Sequence, residues 1–382
     1  MTMYSLSAYG EMIGDSDRFN AYAKAIASAV RPGDAVVEIG CGPGVFSLLA
    51  CLAGARRVYA IETEDIIHLA RELASANCFT DRIEFFQSDS RKTQLPERVN
   101  VIVSDIRGAL PLLNHAIPSL EDARQRFLLP GGAMIPQRDV LRAALIEADS
   151  FYSGLVSPWQ NSVRDTILSP ALSLLLNRLY TSRFGSEQLL TTAQTWGVLD
   201  YTAANSRSAA GELLFHAARS GIAHGVCLWF DTNLFRDIGY SSGPGADKTV
   251  YGQVFLPWPE PVPLTQGQEV QVGLHADLVG EDYVWRWEVK IPTGGNGAGP
   301  QFQQSTLQGA LLTPNSLERR AADFVPALTG EGLLRRRVFE LMDGRASLQE
   351  IAHKLAAEFP QRFSSWQRAL SYAGAVSQEF SR

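Results

Sequence analysis

Apolar runs alternate with helical segments between residues 16 and 104, and this alternation constrains the fold more than any other feature. Residues 16–30 have the pattern of an amphipathic helix, and residues 35–40 (AVVEIG) are a continuous apolar run typical of a buried parallel strand. Further helical and strand-like segments alternate up to residue 104. Because each crossover between parallel strands needs a helix on one face of the sheet, the pattern predicts an α/β domain with a doubly wound parallel sheet.

The pattern changes after about residue 150. A helical stretch is followed by strand-like runs with alternating apolar and polar residues, which predict an antiparallel sandwich or barrel. Residues 128–132 (LLPGG) are predicted to form a turn, and residues 293–300 a flexible connector or hairpin tip. Near the end of the chain, Ser347 and Glu350 form a capping box ahead of a helical run.

Composition narrows the function classes. The 382 residues carry 34 Lys and Arg against 40 Asp and Glu, a net charge of −6 that argues against broad binding to nucleic-acid phosphates. The chain contains neither an apolar stretch long enough to span a bilayer nor a signal-peptide pattern at its start. Its cysteines (Cys41, Cys51, Cys78 and Cys227) form no C-x-x-C pair. We therefore expect a cytoplasmic protein without bound metal, nucleic-acid partner or membrane association.

A glycine-rich turn, E-I-G-C-G-P-G, follows the first predicted strand and contains Glu38, Gly40, Gly42 and Gly44. Glycines allow the backbone to approach a ligand closely, and an acid just before the first glycine can receive a ligand cation. Dinucleotide enzymes normally have the spacing G-x-G-x-x-G, which places a pyrophosphate at a helix N-terminus. Here Pro43 occupies part of the turn where that phosphate would lie.

Glu62 ends the second predicted strand, where a carboxylate can accept both hydroxyl groups of a ribose. Together with the turn, it indicates an adenosine ligand with a cationic amino-acid tail, S-adenosylmethionine. A nicotinamide dinucleotide and a purely structural glycine turn remain as alternatives. Asp89 and Ser90 follow the third strand, where they would read the adenine amino group or form a solvated turn.

Residues 36–62 resemble the first two strands of the protein arginine methyltransferases almost position for position. Residues 9–13 followed by Arg18 resemble the segment of that family that folds over the cofactor, where the residue matching Arg18 grips the methionine carboxylate. Residues 128–148 and 224–234 are similar to the passage from sheet to barrel and to a barrel strand.

The resemblance covers about residues 4–290 and is greatest to a divergent bacterial branch of arginine-methyltransferase-like proteins. It implies a Rossmann-like class I methyltransferase domain that binds S-adenosylmethionine, a β-barrel domain, and a dimer built by a helical arm. We accordingly place the S-adenosylmethionine-binding domain at 1–135, the barrel domain at 136–315 with the arm at about 151–185, and a C-terminal helical module at 316–382.

The chain departs from the family in the loop after the fourth strand. Arginine methylation uses two carboxylates there, in the pattern S-E-W-M-G-Y-x-x-x-x-E, to hold the substrate guanidinium. Asp105 keeps the first acid, Asn114 replaces the second, and Arg107 adds a fixed positive charge. The family's Thr-His-Trp loop falls on residues 249–251 (TVY), which lack the histidine.

These departures predict a methyltransferase that acts on a peptide, protein or small-molecule acceptor and is not a standard arginine methyltransferase. Two alternatives remain: a non-catalytic protein that binds the cofactor and recognises a peptide, and an arginine N-methyltransferase with a degenerate site. Asp105 would orient the acceptor or cap the strand end. Arg107 would face the acceptor or form an ion pair with Asp105 or Glu38, and His115 would take a proton from the nucleophile or stabilise the loop.

The C-terminal module resembles the helical part of small winged-helix modules and of peptide-chaperone domains. Its basic run, Arg335 to Arg337, would meet an acidic peptide or nucleic acid. Alternatively, the helices cap the barrel and the basic side chains are solvated.

Overall fold

The computed structural model describes residues 4–160, 166–203, 207–245, 250–292 and 299–381, so most of the predicted connector at 293–300 and Thr249 lie outside the described residues. The chain forms two compact units, Met1–Ala310 and Leu311–Arg382. Within the described ranges, every helix is too short or too polar to cross a bilayer. In the same ranges, His, Cys, Asp and Glu form no cluster suited to a metal ion.

The first half of the larger unit is a parallel sheet with flanking helices. Its elements are α1 (Leu6–Gly14), α2 (Ser16–Ala29), β1 (Ala35–Ile39), α3 (Val45–Leu52), β2 (Arg57–Glu62), α4 (Ile67–Ala76), β3 (Ile83–Gln87), β4 (Val99–Ser104), a 3₁₀ turn (Pro111–Leu113), α5 (Ala116–Arg126) and β5 (Leu128–Ile135). The strands pair in parallel in the order β3-β2-β1-β4-β5. The strand order reverses at β1, so the carboxyl ends of β1 and its neighbours form the expected ligand-binding edge.

Helix α2 closes one face of this sheet. It begins where the Asp15 side chain accepts the backbone N–H of Arg18 at 3.1 Å, which satisfies a helix N-terminal donor. Tyr22, Ala25 and Ile26 recur at helical spacing and are buried in the cluster formed with α3 and the sheet. The helix thereby places Arg18 near the binding edge.

The predicted turn at 128–132 was wrong. These residues belong to β5, where Val99 pairs with Leu128 but Val101 pairs with Ala133. The extra residues bulge out of the ladder, and Gly131 adopts a left-handed conformation with φ +77°. The Pro-Gly-Gly sequence therefore produces an irregularity within a strand.

The second half of the larger unit is antiparallel. Its elements are β6 (Arg138–Ile146), α6 (Asp149–Gln160), α7 (Ala171–Leu175), β7 (Tyr180–Ser182), a 3₁₀ turn (Ser186–Gln188), β8 (Gln194–Asp200), β9 (Ala209–His216), β10 (Gly221–Phe235), β11 (Ile238–Ser241), β12 (Gln253–Leu264), β13 (Glu269–Val279), β14 (Asp282–Lys290) and β15 (Gln301–Ser305). One sheet has the order β7-β12-β10-β6-β8 with β11 on β10, and the other β15-β14-β13-β9. The two antiparallel sheets form the predicted barrel-like domain, and their core contains Trp196, Trp258, Trp285 and Trp287.

The smaller unit consists of α8 (Pro314–Glu318), α9 (Gly330–Leu341), α10 (Leu348–Glu358) and α11 (Trp366–Phe380). The predicted capping box is present, since Ser347 accepts the backbone N–H of Glu350 and Glu350 returns the contact. The unit has its own apolar core. Within the basic run, Arg337 pairs with Glu358 at 2.7 Å and Arg336 with Glu340 at 3.4 Å, so acidic neighbours partly neutralise the run.

Candidate functional site

A cavity of about 610 Å³ lies at the carboxyl ends of β1, β2 and β4. Its walls are the glycine turn, α1, the ends of β2 and β3, and the loop after β4. Most of the predicted site residues line it, namely Arg18, Glu38, Gly40, Gly42, Glu62, Asp89, Ser90, Asp105 and His115. Gly44 and Arg107 are not among the lining residues.

The glycine turn depends on its glycines. Gly40, Gly42 and Gly44 have φ values of +69°, +52° and +78°, in the left-handed region that side chains disfavour. A Cβ on Gly40 would lie 2.3 Å from Cγ2 of Ile106, and one on Gly42 would lie 2.9 Å from the Tyr9 ring. The turn therefore fits closely between α1 and the loop after β4.

Glu62 is fixed at the end of β2 by backbone donors. Its Oε2 accepts the N–H of Gly42 at 2.9 Å, and its Oε1 accepts the N–H groups of Thr63 at 2.7 Å and Glu64 at 3.1 Å. The carboxylate borders the cavity in an orientation set by the protein. That it clasps a ribose stays a prediction.

Glu38 is buried near the end of β1, where it accepts a hydrogen bond from the Ser47 hydroxyl on α3. Burial raises the pKa of Glu38 to about 8, against the lowering effect of Ser47. The carboxyl group is consequently protonated at neutral pH in the free protein. An incoming cation would favour its ionised form.

Arg18 is paired with Asp105. Its Nε and Nη2 both lie 2.5 Å from Oδ2 of Asp105, and its Nη1 donates to the Met12 carbonyl at 2.8 Å. Burial alone would raise the pKa of Asp105, but the guanidinium groups of Arg18 and Arg107 hold it below its usual value. Asp105 is therefore ionised and already neutralised.

Arg107 is fully buried and does not face the cavity. Sequence analysis left two interpretations of Arg107, namely contact with the acceptor or an ion pair with Asp105 or Glu38. The structure contains the ion pair with Asp105. The physical reason is Asp139 on β6, whose Oδ1 accepts a hydrogen bond from Arg107 at 2.6 Å with both side chains 0% exposed. The remaining bonds of this guanidinium run to Thr232 at 2.7 Å, Tyr22 at 2.8 Å, Tyr240 at 3.0 Å and Asp105 at 3.2 Å.

Asp89 and Ser90 lie beyond β3 in a turn with many internal bonds. Asp89 Oδ1 accepts the N–H of Arg91 at 2.9 Å, and its Oδ2 lies 3.3 Å from Nη2 of the same arginine. Ser90 is buried, and its carbonyl accepts Arg126 Nη2 at 2.6 Å. Their proposed contact with adenine stays a prediction.

Comparisons with known proteins agree with this geometry. Residues 21–137 match the family described as ribosomal protein L11 methyltransferase (PrmA). The probable protein arginine N-methyltransferase 6 of Arabidopsis thaliana is 28% identical over 58% of this chain and 53% of its own length. Protein arginine N-methyltransferase 6 of Xenopus laevis is 27% identical over 72% of this chain and 83% of its own length. The chain is similar to class I methyltransferases of the arginine-methyltransferase type.

A solved structure extends this likeness to the fold. The Trypanosoma brucei PRMT1 enzyme-prozyme heterotetrameric complex with AdoHcy superposes with a TM-score of 0.70 at 21% identity, over 78% of this chain and 96% of the other. The chain spans about half the length of the Arabidopsis relative.

The end of the cavity beside the loop after β4, here called the acceptor end, contains two residues that sequence analysis had placed in the substrate loops and one contact of His115 that it had missed. Exposed Asn114 and the buried Tyr251 line the cavity there, and Tyr251 is hydrogen-bonded to Asp105. His115 Nδ1 lies 3.5 Å from Oε2 of Glu281, at the tip of the β13–β14 hairpin. No local sequence signal marks Glu281, because its contact with His115 depends on how the barrel packs on the sheet.

Proposed function

We propose that the chain binds S-adenosylmethionine in this cavity and transfers its methyl group to an acceptor other than arginine. The choice of cofactor depends on one observation, the hydrogen bonding of the glycine turn. Each N–H of residues 40–44, all of them described, already has a partner: Gly40 and Cys41 donate to the Ile61 carbonyl, Gly42 to Glu62, and Gly44 to the Cys41 carbonyl, while Pro43 has none. The turn thus offers carboxylates and no free donors, which favours a ligand with hydroxyl groups and a cation over a pyrophosphate.

S-adenosylmethionine supplies a methyl group on a positively charged sulfur. In this proposal, Glu62 holds the sugar, Glu38 receives the amino group, and Arg18 closes the carboxylate end. The protein's main contribution is then alignment of the nucleophile, about 3 Å from the methyl carbon. The AdoHcy named for the Trypanosoma brucei complex is the product of such a transfer and supports this cofactor.

The acceptor is argued from charge. A substrate guanidinium needs unpaired carboxylates, but Asp105 is paired with Arg18 and Arg107, and Asn114 is uncharged. The relatives are named protein arginine N-methyltransferases, which supports a protein or peptide acceptor. The heterotetrameric Trypanosoma brucei complex supports assembly with further chains, and α6 and α7 are the candidate arm for the expected dimer.

Calorimetry tests the cofactor. We expect S-adenosylmethionine and S-adenosylhomocysteine to bind at one site per chain, and NAD⁺ not to compete with them. Tight binding of NAD⁺ would instead restore the dinucleotide interpretation.

Transfer of the methyl group is then measured with tritiated S-adenosylmethionine. Labelled methylarginine in acid hydrolysates would support a degenerate arginine methyltransferase.

The second candidate function is a non-catalytic protein that binds the cofactor. Asp105 is already paired with Arg18 and Arg107, and Asn114 replaces the second acid of the arginine methyltransferases. It predicts cofactor binding with no labelled product from any acceptor tested.

Cofactor binding should release a proton from Glu38. With its pKa raised to about 8, Glu38 is protonated at pH 6.5, where an α-amino group is charged. Pairing with that ammonium group lowers the pKa and expels close to one proton per ligand. Binding enthalpies measured in buffers of different ionisation heat report this number. Glu38→Gln should remove the buffer dependence, and equal enthalpies in all buffers for the unmodified protein would contradict the assignment.

A further inference from the structure

His115 and Glu281 form a pair at the acceptor end of the cavity. His115 is the N-cap residue of α5 and lines the cavity, while its Nδ1 lies 3.5 Å from Glu281 Oε2. Arg91 Nη1 lies 3.1 Å from the same Glu281 oxygen and also pairs with Asp89. Glu281 is therefore held between a cation and the imidazole at the rim of the cavity.

Among the described residues, which leave out 246–249, no unpaired acid lies near this pair to meet a cationic acceptor. Asp105 is paired with Arg107 as well as with Arg18, and in the proposed function Glu38 receives the amino group of the cofactor. Glu62 is engaged by backbone N–H groups, and Glu64 follows it at the end of β2, on the far side of β1 from the β4 loop.

In the part of the chain that the structure describes, an anionic acceptor is disfavoured for the complementary reason. Arg18 is paired with Asp105 and would also hold the cofactor carboxylate in the proposed function, and Arg91 is paired with both Asp89 and Glu281. Arg107 lies in the interior, away from the cavity. The other polar groups described at this end are the Asn114 amide, the His115 imidazole and the side chain of Tyr251, which is hydrogen-bonded to Asp105. These groups suit an uncharged, hydrogen-bonding acceptor.

We infer that the acceptor is a neutral hydroxyl compound and that His115, oriented by Glu281, removes the hydroxyl proton. This inference rests on the proposed function. As the oxygen–carbon bond forms, the methyl–sulfur bond breaks and sulfur keeps its electron pair as S-adenosylhomocysteine leaves. The proton passes to His115 Nε2 and then to solvent. Imidazole suits the task because it changes protonation nearest to neutral pH.

Glu281 acts in this scheme as a positioning residue. A carboxylate facing Nδ1 favours the ring form that carries its hydrogen there, and so leaves the Nε2 lone pair for the hydroxyl. The chain offers a matched control in the pair of His275 Nε2 and Glu212 Oε1, 3.9 Å apart. The side chains of that pair are 30% and 80% exposed, against 33% and 71% for His115 and Glu281, and neither residue lines the cavity.

The transfer experiment uses the full chain with tritiated S-adenosylmethionine. The acceptors are N-acetyltyrosinamide, N-acetylserinamide, N-acetylargininamide and a protein-free cell extract. We expect the label in alkali-stable methyl ethers. His115→Ala should lower kcat by about 100-fold, and added imidazole should restore part of it. Glu281→Gln should lower kcat about fivefold, since an exposed ion pair contributes little, whereas Glu212→Gln should leave it unchanged.

Other positions of the label overturn the inference but leave the proposed function standing. Such products are N-methylated compounds, whose label survives acid hydrolysis, and methyl esters, which lose their label in alkali. An undiminished rate in His115→Ala, or no rescue by imidazole, also overturns it. If the cofactor binds and nothing is labelled, transfer itself is refuted together with the inference. If S-adenosylmethionine fails to bind, the proposed function fails first.

A second readout needs no cofactor or acceptor. In ¹⁵N-histidine NMR spectra at alkaline pH, we expect His115 to carry its hydrogen on Nδ1 in the unmodified protein and in Glu212→Gln. The Nε2–H form should gain population in Glu281→Gln. A dominant Nε2–H form in the unmodified protein would overturn the assigned orientation.

Discussion

Arg107→Met is expected to lower the free energy of unfolding of the larger unit by about 3–5 kcal/mol. The substitution removes a guanidinium group whose partner, Asp139, is 0% exposed. The Tyr201 hydroxyl, which donates to Asp139 Oδ2 at 2.7 Å, cannot neutralise the stranded charge. Urea unfolding followed by fluorescence of the barrel tryptophans measures the loss.

Two further variants separate charge burial from lost packing. Arg107→Met combined with Asp139→Asn removes both charges and should recover most of the stability, because the desolvated carboxylate is gone. Arg142→Met breaks a half-buried pair with Asp231, 2.9 Å away on the same sheet, and should cost less than about 1 kcal/mol. Equal losses in Arg107→Met and Arg142→Met would show that the interior pair has no special role.

Gly40→Ala is expected to weaken S-adenosylmethionine binding about 100-fold, which corresponds to about 2.7 kcal/mol. An alanine at φ +69° is strained, and its Cβ would lie 2.3 Å from Ile106 Cγ2. The turn and the loop after β4 must separate, which moves Glu62 and Asp105 relative to each other. Calorimetric titration of the variant with the cofactor gives the affinity.

Gly33 and Gly374 provide the matched controls. Gly33 has φ +91° with open space around it, so Gly33→Ala carries strain without collision and should lower stability by about 1–2 kcal/mol while leaving affinity unchanged. Gly374 lies in α11 with neither constraint, so Gly374→Ala should change neither affinity nor, beyond a slight gain, stability. Wild-type affinity in Gly40→Ala would remove the turn from the proposed binding site.

Local patterns sufficed for the sheet and for the ligand-binding edge. The segment from β1 through α3 to β2 could be predicted from consecutive residues alone. Its strands are largely apolar runs, which indicates burial of both strand faces, and the spacing of the glycines indicates the turn between β1 and α3. The same reasoning failed at 128–132, where Pro130 and Gly131 normally indicate a turn. There, pairing with β4 on either side of the bulge outweighed the local preference.

The contacts of Arg107 and His115 at the acceptor end could not be predicted in this way. Judged from its neighbours in the sequence, Arg107 is a cation on the loop that would face the acceptor. Its partners Asp139 and Thr232, however, lie 32 and 125 positions away in the chain. These contacts form only when the barrel strands pack against the parallel sheet. A short stretch of sequence carries no information about that packing. The contact between His115 and Glu281 was missed for the same reason.

Helix α1 has a consequence for ligand exchange. It covers the glycine turn with Tyr9, yet none of its 9 residues is buried. Segments with few buried contacts open at a lower free energy than the sheet they cover. If the cofactor binds in this cavity as proposed, we expect its residence time to depend on detachment of this one helix, so substitutions that raise the melting temperature of the domain need not slow dissociation.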